Sequence, residues 1–312
     1  MASRVKTALL AVATVATAGA IGYNMQYGSA AAPALAVQLN VDDISAVETT
    51  SSQGAVAPRP LAEISIAPPA QPEVAIVPQP LLVQSNSCDP QLSVVPAAGA
   101  MIDVSVLAPC HANERVTLYH YGLSISETMG PDGRLSTRLP ALLETAIVLA
   151  EFADGAGGSA TTTVSSLPFY DRVVLQWRGD AGLQLHAREF GAPYFAPGHV
   201  WADAPGDLGA AAQGQGGFLV SLGDTGLPNA RLAEVYSFPT GTARRSGVVE
   251  ITIEAEVTAE NCGQQVEAQT IQHRADRPLE ARDLDVQILG CAVVGDFLVL
   301  KNLVDDLTIR AR

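Results

Sequence analysis

The stretch that decides the fold is V173-V-L-Q-W-R-G-D-A-G-L-Q-L-H-A-R-E-F-G191. Successive side chains of a strand point to opposite faces, so residues two apart share a face. That period places Val173, Leu175 and Trp177 on one side, and Val174, Gln176 and Arg178 on the other. After "GDAG" (Gly179–Gly182), Leu183, Leu185 and Ala187 turn to the core, while Gln184, His186 and Arg188 face out. Two such runs joined by four turn-forming residues predict a β-hairpin. The same period separates His186 from Glu189, so this pair is not expected to share a metal ion. The "RGD" triplet (Arg178–Asp180) reads as ordinary turn chemistry, because Gly and Asp serve tight turns.

Working outward, the same pattern recurs along the chain. "MIDVSVLAP", "RVTLYHYGLSIS", "RLSTRLPA", "ETAIVLAEFA" and "SATTTVSS" are short runs rich in β-branched residues, broken by "GPDG" and "DGAGG". They predict a first β-sandwich over residues 86–166, immunoglobulin-like or transthyretin-like. "RVVLQW", "LQLHARE", "HVWAD", "GGFLVSLG", "AEVYSF", "VVEITIEAEVT", "QVEAQTIQH", "LDVQIL" and "DFLVLKNL" predict a second over 167–312, jelly-roll-like. "PALLETAIVLAEF" has helical length, but its Ile-Val centre favours a strand. The predicted class is all-β.

Residues 31–85 differ in kind. Eight prolines and many Ala, Val, Ser and Gln residues give no stable period, which predicts a Pro-rich tether. Before it, "MASRVK" and then seventeen uncharged residues (7–23) follow the basic-then-apolar order of an export segment, residues 1–30. Two fates fit. As a helix the apolar run would be about 26 Å long, enough for a thin membrane anchor. Alternatively the small residues Gly28 and Ala30 permit cleavage after Ala30. Either fate carries the remainder out of the cytoplasm, a periplasm being the expected compartment.

Four cysteines in an exported chain fit this destination. Cys88, Cys110, Cys262 and Cys291 allow three pairings. The local one, Cys88–Cys110 with Cys262–Cys291, keeps each bridge inside one predicted domain. With the thiols paired, no cysteine nucleophile is expected.

The net charge of −14 repels phosphate backbones, and no basic run follows Lys6, so nucleic acid is not an expected partner. There is no G-x-x-x-x-G-K-[ST] and no G-x-S-x-G. "GQGG" (Gly214–Gly217) lacks the third glycine of a dinucleotide loop and reads as a flexible turn. In "VVEITIEAEVT", Glu250, Glu254 and Glu256 line one face opposite Val249, Ile251, Ile253 and Val257; a solvated sheet face is the simpler reading than a calcium site. His199 and Asp203 lie too far apart along a strand to bond. His120 reads as a packed strand histidine. No cofactor and no metal are expected.

One cluster keeps functional interest. "FGAPYFAPGHVW" brings Tyr194, Phe195 and Trp201 to a Pro/Gly loop, with His186 nearby in sequence. Loop aromatics make partner contacts, or they plug the end of a sandwich core. The residues predict a non-enzymatic envelope protein that binds a protein or an envelope polymer. The alternative is a glycan-binding or glycan-hydrolysing protein using Tyr194–Trp201.

Two resemblances attach to these residues. "VLQWRGDAGLQLHARE", "GGFLVSLGD" and "AEVYSFPTG" resemble a bacterial β-sandwich module that carries a Trp, a turn, an Asp-Leu-Asp-Leu-His strand, then Gly-Gly and Glu. Trp177, Leu183, Leu185, His186, Gly216, Gly217 and Glu234 match it; the two acidic positions are Gly182 and Gln184 here, so a cation role for them does not carry over. "APCHANERVTLYHYGLSIS", "LQLHAREFGA", "GHVWADAP" and "EAEVTAENCG" resemble an uncharacterised exported alphaproteobacterial family often labelled "translocase". That label implies a motor or a pore. The chain has no phosphate-binding loop and at most one apolar span, so it supports neither by itself.

Overall fold

The computed structural model describes residues Cys88–Arg312. The expected export segment (1–30) and the expected Pro-rich tether (31–85) lie outside the described residues. Within them the chain is all-β, and every strand ladder is antiparallel.

The first sandwich sets a three-stranded sheet, β1 (Gln91–Ala97), β2 (Met101–Leu107) and β5 (Arg134–Pro140), beside a four-stranded one. The latter runs in the order β4 (Leu123–Thr128), β3 (Arg115–His120), β6 (Thr145–Phe152), β7 (Gly157–Thr163). The predicted alternation is strict in β6: Ala146, Val148, Ala150 and Phe152 are buried, and the residues between them are exposed. β3 and β4 are joined by Tyr121 and Gly122 alone, both at positive φ (46° and 92°). This is the two-residue turn whose twist suits a hairpin, and Gly122 is there for that conformation. The sequence reading omitted β1, whose Pro96 weakens the strand signal.

In the second sandwich a five-stranded sheet runs β11 (Phe218–Leu222), β12 (Arg231–Phe238), β8 (Asp171–Arg178), β14 (Gln265–His273), β15 (Glu280–Gln287). The facing sheet runs β10 (His199–Val200), β9 (Leu183–Glu189), β13 (Gly247–Glu256), β16 (Phe297–Leu300), with β17 (Leu307–Ile309) also on β13. A short helix α1 (Leu208–Ala212) starts where the Asp207 carboxylate accepts the Ala210 N–H at 2.7 Å.

Two expectations are corrected here. β8 and β9 do not form a hairpin: β8 pairs with β12 and β14, and β9 with β10 and β13. Gly179–Gly182 carries the chain from one sheet to the other, so Val173 and Leu175 face Leu183, Leu185 and Ala187 across the core. Period 2 identified the inward residues correctly, but it does not say whether two strands lie side by side or face to face. Gly182 makes the crossing possible: φ is +68°, and an added Cβ would sit 2.5 Å from Glu256 O.

The second correction concerns the other face of β8, which a free-standing hairpin would leave to solvent. Val174 is fully buried and packs with Ala233, Val235 and Ile271 into the core of the first sandwich. The β8 sheet is therefore covered on both faces. Gln176 is buried as well, its carbonyl accepting Ser124 N–H (2.9 Å) and its amide donating to Gly122 O (2.8 Å) across the junction. Arg172 is wholly buried there, donating to Ala141 O (2.6 Å) and to Gly99 O. His120 behaves as expected: Nε2 accepts Leu142 N–H (2.9 Å), which leaves Nδ1–H to donate to Ile147 O (2.9 Å).

Disulfides join Cys88 to Cys110 and Cys262 to Cys291, the local pairing. Each closes a loop worth about 3 kcal/mol in the chain-entropy model. Both bridges fit an oxidising, extracytoplasmic environment. Among the described residues no helix is long and apolar enough to cross a membrane.

Candidate functional site

The candidate site is the outer face of the β9 sheet. Strand alternation turns Gln184, His186 and Arg188 outward on β9, and the β9–β13 register sets them beside Glu254, Thr252 and Glu250 in that order. On the other flank, β10 places His199 beside Arg188. Trp201, two residues on, extends the same face and stacks on His186 with centroids 5.3 Å apart and planes 16° from parallel. His199 and Trp201 lie 5.8 Å apart at 6°, so three flat rings share one orientation.

The segment from Phe190 to His199 folds over these rings. Its geometry is unusual for large side chains: Phe190 and Phe195 both take positive φ, 56° and 60°. At Phe195 the conformation has a visible result, for its backbone N–H donates to His199 Nδ1 at 2.9 Å. That bond fixes the tautomers. With Nδ1 accepting, a neutral His199 carries its proton on Nε2 and donates to His186 Nδ1 at 2.8 Å. His186 then carries its own proton on Nε2, which faces Glu254 Oε2 at 3.7 Å. His186 Nε2 and Glu254 Oε1 are buried and have no hydrogen-bond partner. Burial lowers the pKa of both histidines, with Glu254 opposing the fall at each.

Tyr194 bridges the loop to the sheet, its hydroxyl 3.2 Å from Thr252 Oγ1 and its ring beneath the Arg188 guanidinium at 4.9 Å. Arg188 also pairs with Glu250. Phe195 points away: it is 78 % exposed, with its ring edge-on to Trp201 and His199 at 5.7 Å each. Beside it runs a shallow hollow of about 700 Å³, walled by Phe195, Pro197, His199, Trp201, Asp203 and Pro205.

The structure thus brings His186, Tyr194, Phe195 and Trp201 together. The aromatics do not plug the core; they stand on the outer sheet face, and Tyr194, Phe195 and Trp201 belong to neither apolar core. Sequence reading missed Glu254 and His199. Glu254 was placed in a solvated acidic stripe, yet it is only 8 % exposed because the loop and rings cover it. His199 was tested against Asp203, whereas its partner is His186. Neither link is visible before the β9–β13 and β9–β10 registers are known.

Glu189 lies on the inner face, as expected from its spacing to His186. Its carboxylate accepts Gly217 N–H (2.6 Å) and Tyr236 Oη–H (2.7 Å), and burial raises its pKa. "GQGG" is consequently a fixed element: a Cβ on Gly217 would lie 2.4 Å from Tyr236 Oη. Glu234 reaches across from β12 to accept Leu185 N–H at 2.6 Å, and burial raises it to about 7. Among the described residues no group of three or more His, Cys, Asp or Glu is placed to hold a metal ion, and no cysteine is free. The arrangement sets near-parallel rings and one carboxylate, Asp203, beside an open hollow. No protein-family model matches this chain, and no curated protein matches it.

Proposed function

We propose that this chain is an exported binding protein of the bacterial cell envelope, held in the periplasm by its N-terminal segment or released there after cleavage. Its working surface is the aromatic hollow on the outer face of the β9 sheet, and its partner is a protein or an envelope polymer. The observation that carries this reading is Phe195: a large apolar ring, 78 % exposed, held in a strained backbone conformation by a hydrogen bond to a buried histidine. A conformation that costs about 1–3 kcal/mol persists where the surroundings enforce it, and such strain gathers at ligand-holding sites. The two disulfides support the compartment.

A second reading, glycan binding at the same place, is favoured by the flat faces of Trp201 and Phe195 beside the hollow. One experiment tests both. The immobilised full chain is exposed separately to envelope protein extract and to purified cell-wall polymer, alongside Phe195→Ala. Retention of a defined protein species, reduced about tenfold by the substitution, supports the first reading. Retention of polymer with the same loss supports the second. Equal capture by wild type and variant removes the hollow as the binding surface.

A further inference from the structure

A second cleft lies on the opposite sheet of the same sandwich, where β4 of the first sandwich meets β8, β12, β14 and β15. It holds about 440 Å³ and is bordered by Ser124, Trp177 and a row of charged side chains. Its floor is ordered: the Gln176 amide donates to Gln269 Oε1 (2.7 Å), and the Gln269 amide donates to Asp283 Oδ1 (2.7 Å).

The rim is electrostatically discordant. Arg231 and Arg178 are direct cross-strand partners on β12 and β8. Glu267 and Asp285 are direct partners on β14 and β15. Like charges set opposite one another in a ladder destabilise it. No ion pair relieves either couple among the described residues: Arg231 donates to Ser124 Oγ at 3.1 Å, and Arg178, Glu267 and Asp285 make none. The β8–β14 register, carried one rung further, sets Arg178 opposite Glu267, so the row reads two cations and then two anions, a fixed dipole across four strands whose outer charges face the cleft. Neighbouring strands lie about 4.8 Å apart, so the midpoints of the two couples are separated by roughly 10 Å across four strands.

We infer that this cleft is a binding site for a short dipolar peptide, carboxylate on the Arg178–Arg231 couple and ammonium on the Glu267–Asp285 couple. An extended tripeptide spans about 10 Å, which matches the separation. Arginine forks suit a carboxylate, and two carboxylates surround an ammonium with acceptors.

The test is calorimetric titration of the full chain with triglycine at low salt, against N-acetyl-triglycine, which lacks the ammonium, and triglycinamide, which lacks the carboxylate. Triglycine is expected to bind at millimolar concentration and each capped peptide about tenfold more weakly, since one charge-assisted contact is lost. Arg178→Gln should weaken triglycine about tenfold and leave triglycinamide unchanged; Glu267→Gln should weaken triglycine and leave N-acetyl-triglycine unchanged. These side chains lie at an exposed rim, so both variants keep the fold. No binding of triglycine, equal binding of either capped peptide, or variants without this crossed pattern would overturn the assignment.

Discussion

The two sheets of the second sandwich are built from similar strands and meet different neighbours. The β8 sheet is covered on one side by its partner sheet and on the other by the whole first sandwich, so Val173 and Val174 are equally buried though they point in opposite directions. The β9 sheet has one face in the core, and on the other His186 is covered by a loop. Both places leave buried polar atoms unpaired: Arg172 Nε and His273 Nε2 at the junction, His186 Nε2 and Glu254 Oε1 under the loop. What covers them separates the two. A folded sandwich holds the junction, whereas a strained loop ending in an exposed Phe195 holds the rings. Burial of polar groups therefore marks architecture at the first; at the second it accompanies the surface proposed above for binding.

That contrast breaks most sharply at Arg172. Arg172→Ala should destabilise the chain by roughly 3–5 kcal/mol, because it empties a large buried volume and strips Ala141 O and Gly99 O of their donor. Arg172→Met refills most of the volume and loses the buried charge but leaves the same two carbonyls without a donor, so it should cost less than alanine by the cavity part alone. Urea unfolding of both variants measures the difference; equal losses would mean that the guanidinium and its hydrogen bonds, and not the filled volume, secure the junction.

Acid should act next, and at the junction. Burial holds His120 and His273 at about 4, against the usual 6.5. Above pH 6.5 both are neutral in either state and contribute no pH dependence. Below it the unfolded chain takes up protons first, so stability falls between pH 6.5 and 4, by roughly 3 kcal/mol per histidine. Unfolding free energies measured across that range should show the slope, and His120→Gln should flatten it.

Glu234 has the opposite sign. Its folded pKa, about 7, lies above the ordinary 4.5, so its contribution is complete below pH 4.5 and is lost as pH rises through 7. Glu234→Gln keeps an acceptor for Leu185 N–H and removes the buried charge. It should stabilise the protein by about 1–3 kcal/mol at pH 8 and change little at pH 4. The smallest effect belongs to the site: Phe195→Ala should move stability by no more than about 0.5 kcal/mol, since the ring is exposed.

Much of this was legible in the sequence. Val173, Leu175, Leu183, Leu185 and Ala187 were identified as inward from strand alternation, the His186–Glu189 split followed from the same rule, and the local cysteine pairing followed from domain spacing. What escaped was long-range. Nothing near Val174 announces that another sandwich covers it, since a valine on an outer face and one in a junction look alike in sequence. Glu254 comes beside His186 only through a ladder between strands some seventy residues apart. The turn at Gly179–Gly182 has hairpin chemistry but serves a crossing between sheets, and only Gly182's close approach to Glu256 O shows why.

The claim that the loop-covered face is where this protein meets its partner is tested most directly by site-specific photo-crosslinking in cells expressing the full chain. One probe replaces Phe195; the control replaces Val95, which is 58 % exposed on the first sandwich. A discrete crosslinked species from position 195 and absent from position 95 is the predicted result. The same pattern from both positions, or none from position 195, would contradict it.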